Sequence, residues 1–493
     1  MAPERVFVHL TPIGGDFESK GFAFTEVACY LLAARTGRPV RHTLSYDELL
    51  TTTSARHPLR VTLRTAVTDG LLTALDARTD MDGGAFGAVK AAPMVVVPVV
   101  HAPLASYGVH HRREVCASYY SNALPGGHVR SPGEFQALFA AESQVDVIAA
   151  ATGVDPLAFR AASAVDDRVR RVVDELAVVV KGWRDTCEPG TGIGVALTFR
   201  DTGSGNARVR VTAGPAGVDV VLTVPDQGAG SYELFRLLAA DTLGVDPDVV
   251  GVHGLAAGED PVLTDAGAGA SRVTAVAGRA VVEACTQLLR ELGPRPDAAA
   301  GDWIVARARE RGPAAAEGAA AARWQEPGGR DTRSHGGVAV EVRVDRETGA
   351  LSVLRAAVVA DTGRVVNSVA HRGQLEGGFV CGLSQTLIED LCVEDGTVTT
   401  ASLGDYKIAS GADVPPLDVR TLPPHPTTGD LPLSVGELVN VGVAPAVANA
   451  VADATCAWVR ALPITPERVL AALQATQGDT KGDRPPIVTS RCR

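Results

Sequence analysis

Apolar residues return every three or four positions over 22–35, 136–151, 232–243, 274–292, 375–391, 444–462 and 466–475, which predicts a helix over each stretch. Over 59–64, 209–212, 218–224, 338–344 and 351–359 they alternate with polar residues or run β-branched, which predicts strands. Turn-forming residues separate several strand-like runs, at Thr68-Asp69-Gly70, Pro215-Ala216-Gly217, Thr348-Gly349 and Asp395-Gly396. Such short connections favour hairpins. The expected fold class is therefore α+β, or mixed α/β, with packed helices and mixed sheets rather than a purely parallel, doubly wound sheet. A break in composition at 166–190 reads as a linker between a first domain, 1–165, and a second, 191–476. An Ala/Gly/Arg/Pro stretch near 293–337 reads as an irregular insertion, and the polar tail 477–493 as disordered.

With 493 residues, 46% of them hydrophobic and 21% charged, the chain can build two or three cored domains. Its 46 Lys+Arg against 57 Asp+Glu leave a net charge of −11, so no basic field draws in nucleic acid or an anionic membrane. Small molecules and other proteins are the expected partners. The first eleven residues lack the basic-then-apolar order of a signal peptide, and the apolar run 91–105 is interrupted by Pro93, Pro98, His101 and Pro103. A cytoplasmic protein without a membrane span is expected. Cys29, Cys116, Cys187, Cys285, Cys381, Cys392, Cys456 and Cys492 form no Cys-x-x-Cys pair, which leaves buried structural thiols as the reading and gives no zinc or iron–sulfur spacing. Lysine is confined to five positions while Gly (52) and Pro (30) abound, a coding bias that cautions against reading every glycine-rich string as a motif.

Several common motifs fail on their context. Gly14-Gly15, Gly83-Gly84, Gly190-Thr191-Gly192-Ile193-Gly194 and Gly267-Ala268-Gly269-Ala270-Ser271 lack the strand, spacing and helix order of a dinucleotide-binding turn. Lys20 is followed by Gly21 rather than by the Ser or Thr of a phosphate-binding loop. Gly382-Leu383-Ser384-Gln385 lacks the second glycine of a nucleophile elbow and falls inside a helix, so Ser384 reads as structural.

Other strings carry more information because of their order. These are Ile13-Gly14-Gly15-Asp16-Phe17-Glu18-Ser19-Lys20, Val129-Arg130-Ser131-Pro132-Gly133-Glu134 with Glu142, and Thr191-Gly192-Ile193-Gly194-Val195-Ala196. They are followed by Asp226-Gln227-Gly228-Ala229-Gly230-Ser231, Asp361-Thr362-Gly363-Arg364-Val365-Val366-Asn367 with Gln374-Leu375-Glu376-Gly377-Gly378, and Ser434-Val435-Gly436-Glu437. In this sequence of motifs, from about residue 5 to 475, the chain resembles the molybdenum-binding subunit of the xanthine dehydrogenase/aldehyde oxidase family. The resemblance implies two molybdopterin-binding-type domains and a hydroxylase or dehydrogenase acting on an aldehyde or an N-heteroaromatic ring. It also implies that no protein side chain ligates the metal, and that iron–sulfur and FAD carriers reside on partner subunits.

An anionic pterin needs backbone N–H groups and close main-chain approach, which glycine turns at helix starts supply. The resemblance accordingly marks Gly14, Gly15, Phe17, Gly133, Gln227, Gly228, Gly230, Ala270, Ser271 and Gly436 as cofactor-binding candidates. Arg130 is a further candidate, its planar fork suited to the pterin or a phosphate; an ion pair with Glu134 or Glu142 is the competing reading. Glu437 alone reads as an acid before a helix, whereas the resemblance makes it the general base, strengthened by its apolar neighbours Val435, Leu438 and Val439. Departures from the family pattern are Asp16 and Glu18 in the first loop, Gly21, Ala229, and Leu433-Ser434. The family also carries a region before the first glycine loop, so a second polypeptide is expected to supply it. Two alternatives follow: a cofactor-free enzyme using Glu437 for dehydration, isomerisation or cyclisation, and a non-catalytic partner subunit.

Overall fold

The computed structural model describes residues 6–9, 11, 13–15, 17, 25–87, 104–256, 259–293, 302–322 and 332–478. Three larger sheets organise them. The central one has the order Leu417–Thr421, Leu351–Asp361, Ser334–Val344, Thr191–Arg200, antiparallel except at the parallel pair of 351–361 with 417–421. A second four-stranded sheet runs Ala314–Ala322, Gly205–Ala213, Val218–Leu222, Val250–Gly254, and a third pairs Leu59–Thr68, Leu71–Asp82 and His111–Tyr119. All four expected hairpins form, with Asp69 and Gly70, and Asp395 and Gly396, in the left-handed conformation that tight connections require.

Successive side chains of the central sheet serve two cores, as the two-residue period of a strand demands. Ala196, Val338, Val340, Val358 and Ala360 face one cluster, and Val195, Leu197, Ala339, Ala357 and Val359 face another. The first cluster is capped by Asn440–Thr455, Ser368–Leu387 and the start of Glu134–Thr152. Asn440–Thr455 is buried around its whole circumference, the pattern of a central rather than an amphipathic helix. It lies so close to Thr191–Arg200 that a Cβ on Gly192 or Gly194 would fall 2.3 Å from the Ala450 carbonyl or 2.0 Å from that of Ala446. Only glycine permits that approach.

The stretch 166–190, expected as a linker, instead contains the helix Asp167–Arg184, whose Val169, Val172, Val173 and Leu176 fill the second core. Its exposed side is densely charged, which made its composition look like a break. Both sheet-facing clusters draw residues from either side of that stretch, so the two expected halves share their interior. Among its described residues the expected irregular insertion is regular: Trp303–Arg311 is a helix, Ala314–Ala322 a strand, and Ser334 opens another. Residues 294–301 and 323–331 of it, and the tail beyond 478, lie outside the described residues. The cysteines also depart from expectation: Cys285 is buried, Cys29, Cys116, Cys381 and Cys392 are half-buried, and Cys187 is exposed. Among the described residues no single helix is long and apolar enough to cross a membrane.

Candidate active site

Three elements of the central core end at one place. Thr191–Arg200 delivers Arg200, the first turn of Glu134–Thr152 delivers Glu134, and the turn before Asn440–Thr455 delivers Glu437. Arg200 holds both acids, with Nη1 donating to Glu134 Oε2 at 2.5 Å and Nη2 2.7 Å from Glu437 Oε2. The side chains of Arg200 and Glu134 are 3% and 4% exposed, that of Glu437 14%, so Glu437 is the member that reaches the surface of the site. Burial pushes the Glu134 carboxyl up to about 7 against the pull of Arg200, and the nearby Glu437 adds to the rise.

The rest of the Glu437 carboxylate is fixed by the turn at 130–133. Ser131 takes φ of 58° and Gly133 φ of 80°, a reversal that aims the Ser131 N–H at Glu437 Oε1, 3.0 Å away. The Ser131 hydroxyl shares its single hydrogen between the Glu437 carbonyl and Asn440 Oδ1, each 2.9 Å away, and Asn440 returns a bond to the Arg130 carbonyl. Ser271 donates to Glu437 Oε2 at 3.3 Å from a segment in which Ala270 and Ser271 both have positive φ. Non-glycine residues in that conformation store strain and gather at functional sites. Gly436 lets the two segments meet, since a Cβ there would lie 3.2 Å from Ser271 Oγ and 3.6 Å from Gln374 Oε1.

The surroundings of Glu437 differ from the expectation of apolar neighbours. Leu438 and Val439 turn into the core while the carboxylate turns the other way, toward Arg200, Ser131 and Ser271. Arg130 forms no ion pair with Glu134 or Glu142. It is 7% exposed, donates to the carbonyls of Gly436 at 2.7 Å and Gln374 at 3.2 Å, and stacks on Phe17 at 5.4 Å. Its fork thus clips the Glu437 turn to the helix Ser368–Leu387. Arg56 braces the same turn from below, donating to the Arg130 and Ser131 carbonyls, and its burial lowers it to about 10.

The remaining candidates stand nearby. Gly228 and Gly230 have positive φ and open the helix Ser231–Leu243, where Asp226 accepts from the N–H of Gly228 and of Tyr232. A Cβ on Gly228 would meet nothing within 4 Å, and one on Gly230 would lie 3.6 Å from Ala370 Cβ. Ala370 is one helical turn before Gln374, so the 226–231 turn and Gly436 border the same helix face. Half-buried Gln227 belongs to that turn. Gly14 has positive φ, and Gly15 lies against the ring of Phe17, which joins the first loop to Arg130; Asp16, Glu18, Ser19, Lys20 and Gly21 lie outside the described residues. The structure therefore brings together Phe17, Arg130, Ala270, Ser271, Gly436 and Glu437, with Gly133 behind the turn and 227–230 alongside. Sequence reading missed Arg200, Ser131, Arg56 and Gln374. A signal was present for one: Arg200 is a charge closing a run, 195–199, whose only polar member is Thr198. Surface grooves of about 480 Å³ beside Arg279 and Glu317, and of about 460 Å³ beside Asp155 and Arg184, touch none of these residues.

Two models of a molybdopterin cofactor-binding domain match the chain, over residues 1–164 and 179–415. The chain belongs to the xanthine dehydrogenase/aldehyde oxidase family of molybdopterin-binding subunits. Within this family it is 29% identical to the aldehyde oxidoreductase molybdenum-binding subunit PaoC of Escherichia coli, covering 95% of this chain and 68% of that protein. It is 26% identical to a probable xanthine dehydrogenase subunit of Bacillus subtilis, covering 95% and 69%. The crystal structure of quinoline 2-oxidoreductase from Pseudomonas putida 86 superposes with a TM-score of 0.82 at 24% identity, over 94% of this chain and 68% of that one. The family's members are molybdopterin-dependent oxidoreductases, and this chain is one of them.

The residues present suit an anionic cofactor. Half-buried Arg56 and buried Arg130 and Arg200 bring three guanidiniums against the two carboxylates Glu134 and Glu437, one of which holds its proton up to about pH 7. Local charge is thus positive in a chain that is acidic as a whole. The left-handed turns at 228–230 and 267–271 bend the main chain in the manner that lets successive N–H groups face one anion.

Proposed function

We propose that the chain is the molybdenum-cofactor subunit of a multi-subunit hydroxylase or dehydrogenase that oxidises an aldehyde or an N-heteroaromatic ring, with Glu437 as general base. The single observation that carries this reading is the way Glu437 is held. Oε2 is ion-paired with Arg200 Nη2 at 2.7 Å and accepts from the Ser271 hydroxyl, while Oε1 accepts only from the Ser131 N–H among the described residues. One lone pair on Oε1 remains, on the group that reaches the surface of the site. That is the geometry of a positioned proton acceptor.

Gly228, Gly230, Gln227, Ala270, Ser271 and Gly436 are the residues that would hold the cofactor, with Gly14, Gly15, Phe17, Arg130 and Gly133 bracing the loops around it. When bound, the cofactor supplies the two-electron redox chemistry. Glu437 receives a proton at Oε1, and Arg200 and Ser131 keep the carboxylate from rotating as it does so. Iron–sulfur and flavin carriers on partner polypeptides would supply the onward electron transfer, a reading supported by relatives that are themselves named as subunits. We take 1–165 and 191–476 as the two cofactor-binding-type domains and place the protein in the cytoplasm. The cofactor-free alternative rests on Asp16 and Glu18, which lie outside the described residues.

Molybdenum and pterin analysis of the chain co-purified with its partner polypeptides tests the assignment. Stoichiometric metal with aldehyde- or heterocycle-dependent dye reduction is expected, and a pure complex free of both molybdenum and pterin overturns it.

A further inference from the structure

Arg200 does more than neutralise Glu437. It sits between two acids from different elements, and its fork gives one Nη to each, at 2.5 Å to Glu134 and 2.7 Å to Glu437. Nε of the same guanidinium is buried without a partner among the described residues, so the side chain is committed to this shared arrangement at some cost in desolvation. We propose that Arg200 is a positioning residue whose charge is divided between Glu134 and Glu437, and that a proton on Glu134 passes the whole of that charge to Glu437. The inference rests on Glu437 being the base.

With Glu134 ionised, the guanidinium faces two carboxylates, and Glu437 experiences half of its counter-charge together with the repulsion of a second anion. With Glu134 protonated, the repulsion is gone and Arg200 faces a single anion, which makes Glu437 the weaker base. Glu134 is poised for this exchange because burial brings its titration to about 7, inside the working range of most cells. The other charged groups that bear on the triad are Asp201, forked by Arg333 at 2.8 and 3.0 Å, and Arg56 and Arg130 under the 130–131 turn. The arginines carry their charge throughout the relevant range, which leaves Glu134 and Glu437 as the coupled pair.

The test uses two variants that push in opposite directions. In Glu134→Gln, close to isosteric, Arg200 belongs to Glu437 alone. The acid limb of kcat/KM moves down by about one pH unit, and the plateau rate falls with the weaker base. In Arg200→Gln two carboxylates face each other without a cation, and the acid limb moves up by at least as much. Infrared titration of the carboxyl C=O band in the full chain without cofactor, with Glu437→Gln used to assign the band, reads the same shifts without turnover. If neither variant moves the Glu437 band, the proposal is overturned. Should Arg200→Gln fail to fold, the direction of the Glu134→Gln shift decides alone. A full rate in Glu437→Gln would remove the base reading, and the infrared shifts would then decide the coupling by themselves.

Discussion

Two buried arginines in this protein each hold two carboxylates, and in both cases the helix Glu134–Thr152 provides acids, yet they serve different ends. Arg160 pairs with Glu142 at 2.9 Å and with Asp146 at 2.6 Å, two acids one turn apart on that helix. Everything else around it is filled by protein. Glu142 accepts from the Tyr107 hydroxyl at 2.6 Å and the Leu197 N–H at 2.9 Å, and Arg160 itself donates to the Val195 carbonyl. Arg200 takes one acid from the same helix and one from a distant turn, keeps an unpartnered Nε among the described residues, and leaves Glu437 with an open lone pair. The same ion-pair chemistry becomes a clamp where every valence closes and a site where one does not.

The largest effect should come from the open cluster. Glu437→Gln is expected to lower kcat of the assembled, metal-loaded enzyme by about 10²- to 10⁴-fold, with the melting temperature nearly unchanged. Steady-state kinetics beside a thermal melt would break the comparison if the loss appeared in stability instead. The closed cluster should answer in the opposite currency. Arg160→Met leaves Glu142 and Asp146 buried without their cation, and urea unfolding should show a loss of about 3–5 kcal/mol. Little change in the urea midpoint would mean that the cluster is no clamp. Tyr107→Phe sharpens the point by removing a single donor from Glu142, at an expected cost of about 1–3 kcal/mol in the same assay.

The last expected effect is a dependence on pH. Glu134 titrates near 7 in the folded chain and near 4.5 as a free side chain, so the folded state binds its proton more tightly than the unfolded state does. Its contribution is complete below the unfolded value and is lost as pH rises through about 7, the reverse of an ordinary ion-paired carboxylate. Urea midpoints should therefore fall across that window in the wild type and flatten in Glu134→Gln. Parallel profiles for the two proteins would show that Glu134 does not titrate there.

The sequence carried the fold well wherever the apolar period was unbroken. Ser231–Leu243, Glu134–Thr152 and the strands Leu59–Thr68 and Ser334–Val344 were all legible from residue type alone. Asp167–Arg184 was not, because one face is crowded with Asp, Glu and Arg and its valines reach a core that only the folded sheet creates. Trp303–Arg311 and Ala314–Ala322 were hidden by the Ala, Gly and Arg bias of the whole chain. At the site, Glu437, Gly436 and Arg130 were found because their motifs are local. Ser131 and Arg200 were missed because their roles depend on contacts between residues hundreds of positions apart, which no window along the chain contains.

The glycine seam between Thr191–Arg200 and Asn440–Thr455 acts as a ruler for the chemistry. Arg200 ends the strand and Glu437 precedes the helix, so the spacing of their charges is inherited from how closely Gly192 and Gly194 let those two elements lie. A methyl group at Gly194 would sit about 20 Å up the strand from Arg200, touching neither charge. By wedging strand and helix apart it would nonetheless reset the distance between acid and arginine, so that part of the proton affinity of the site is written in residues that never meet a substrate.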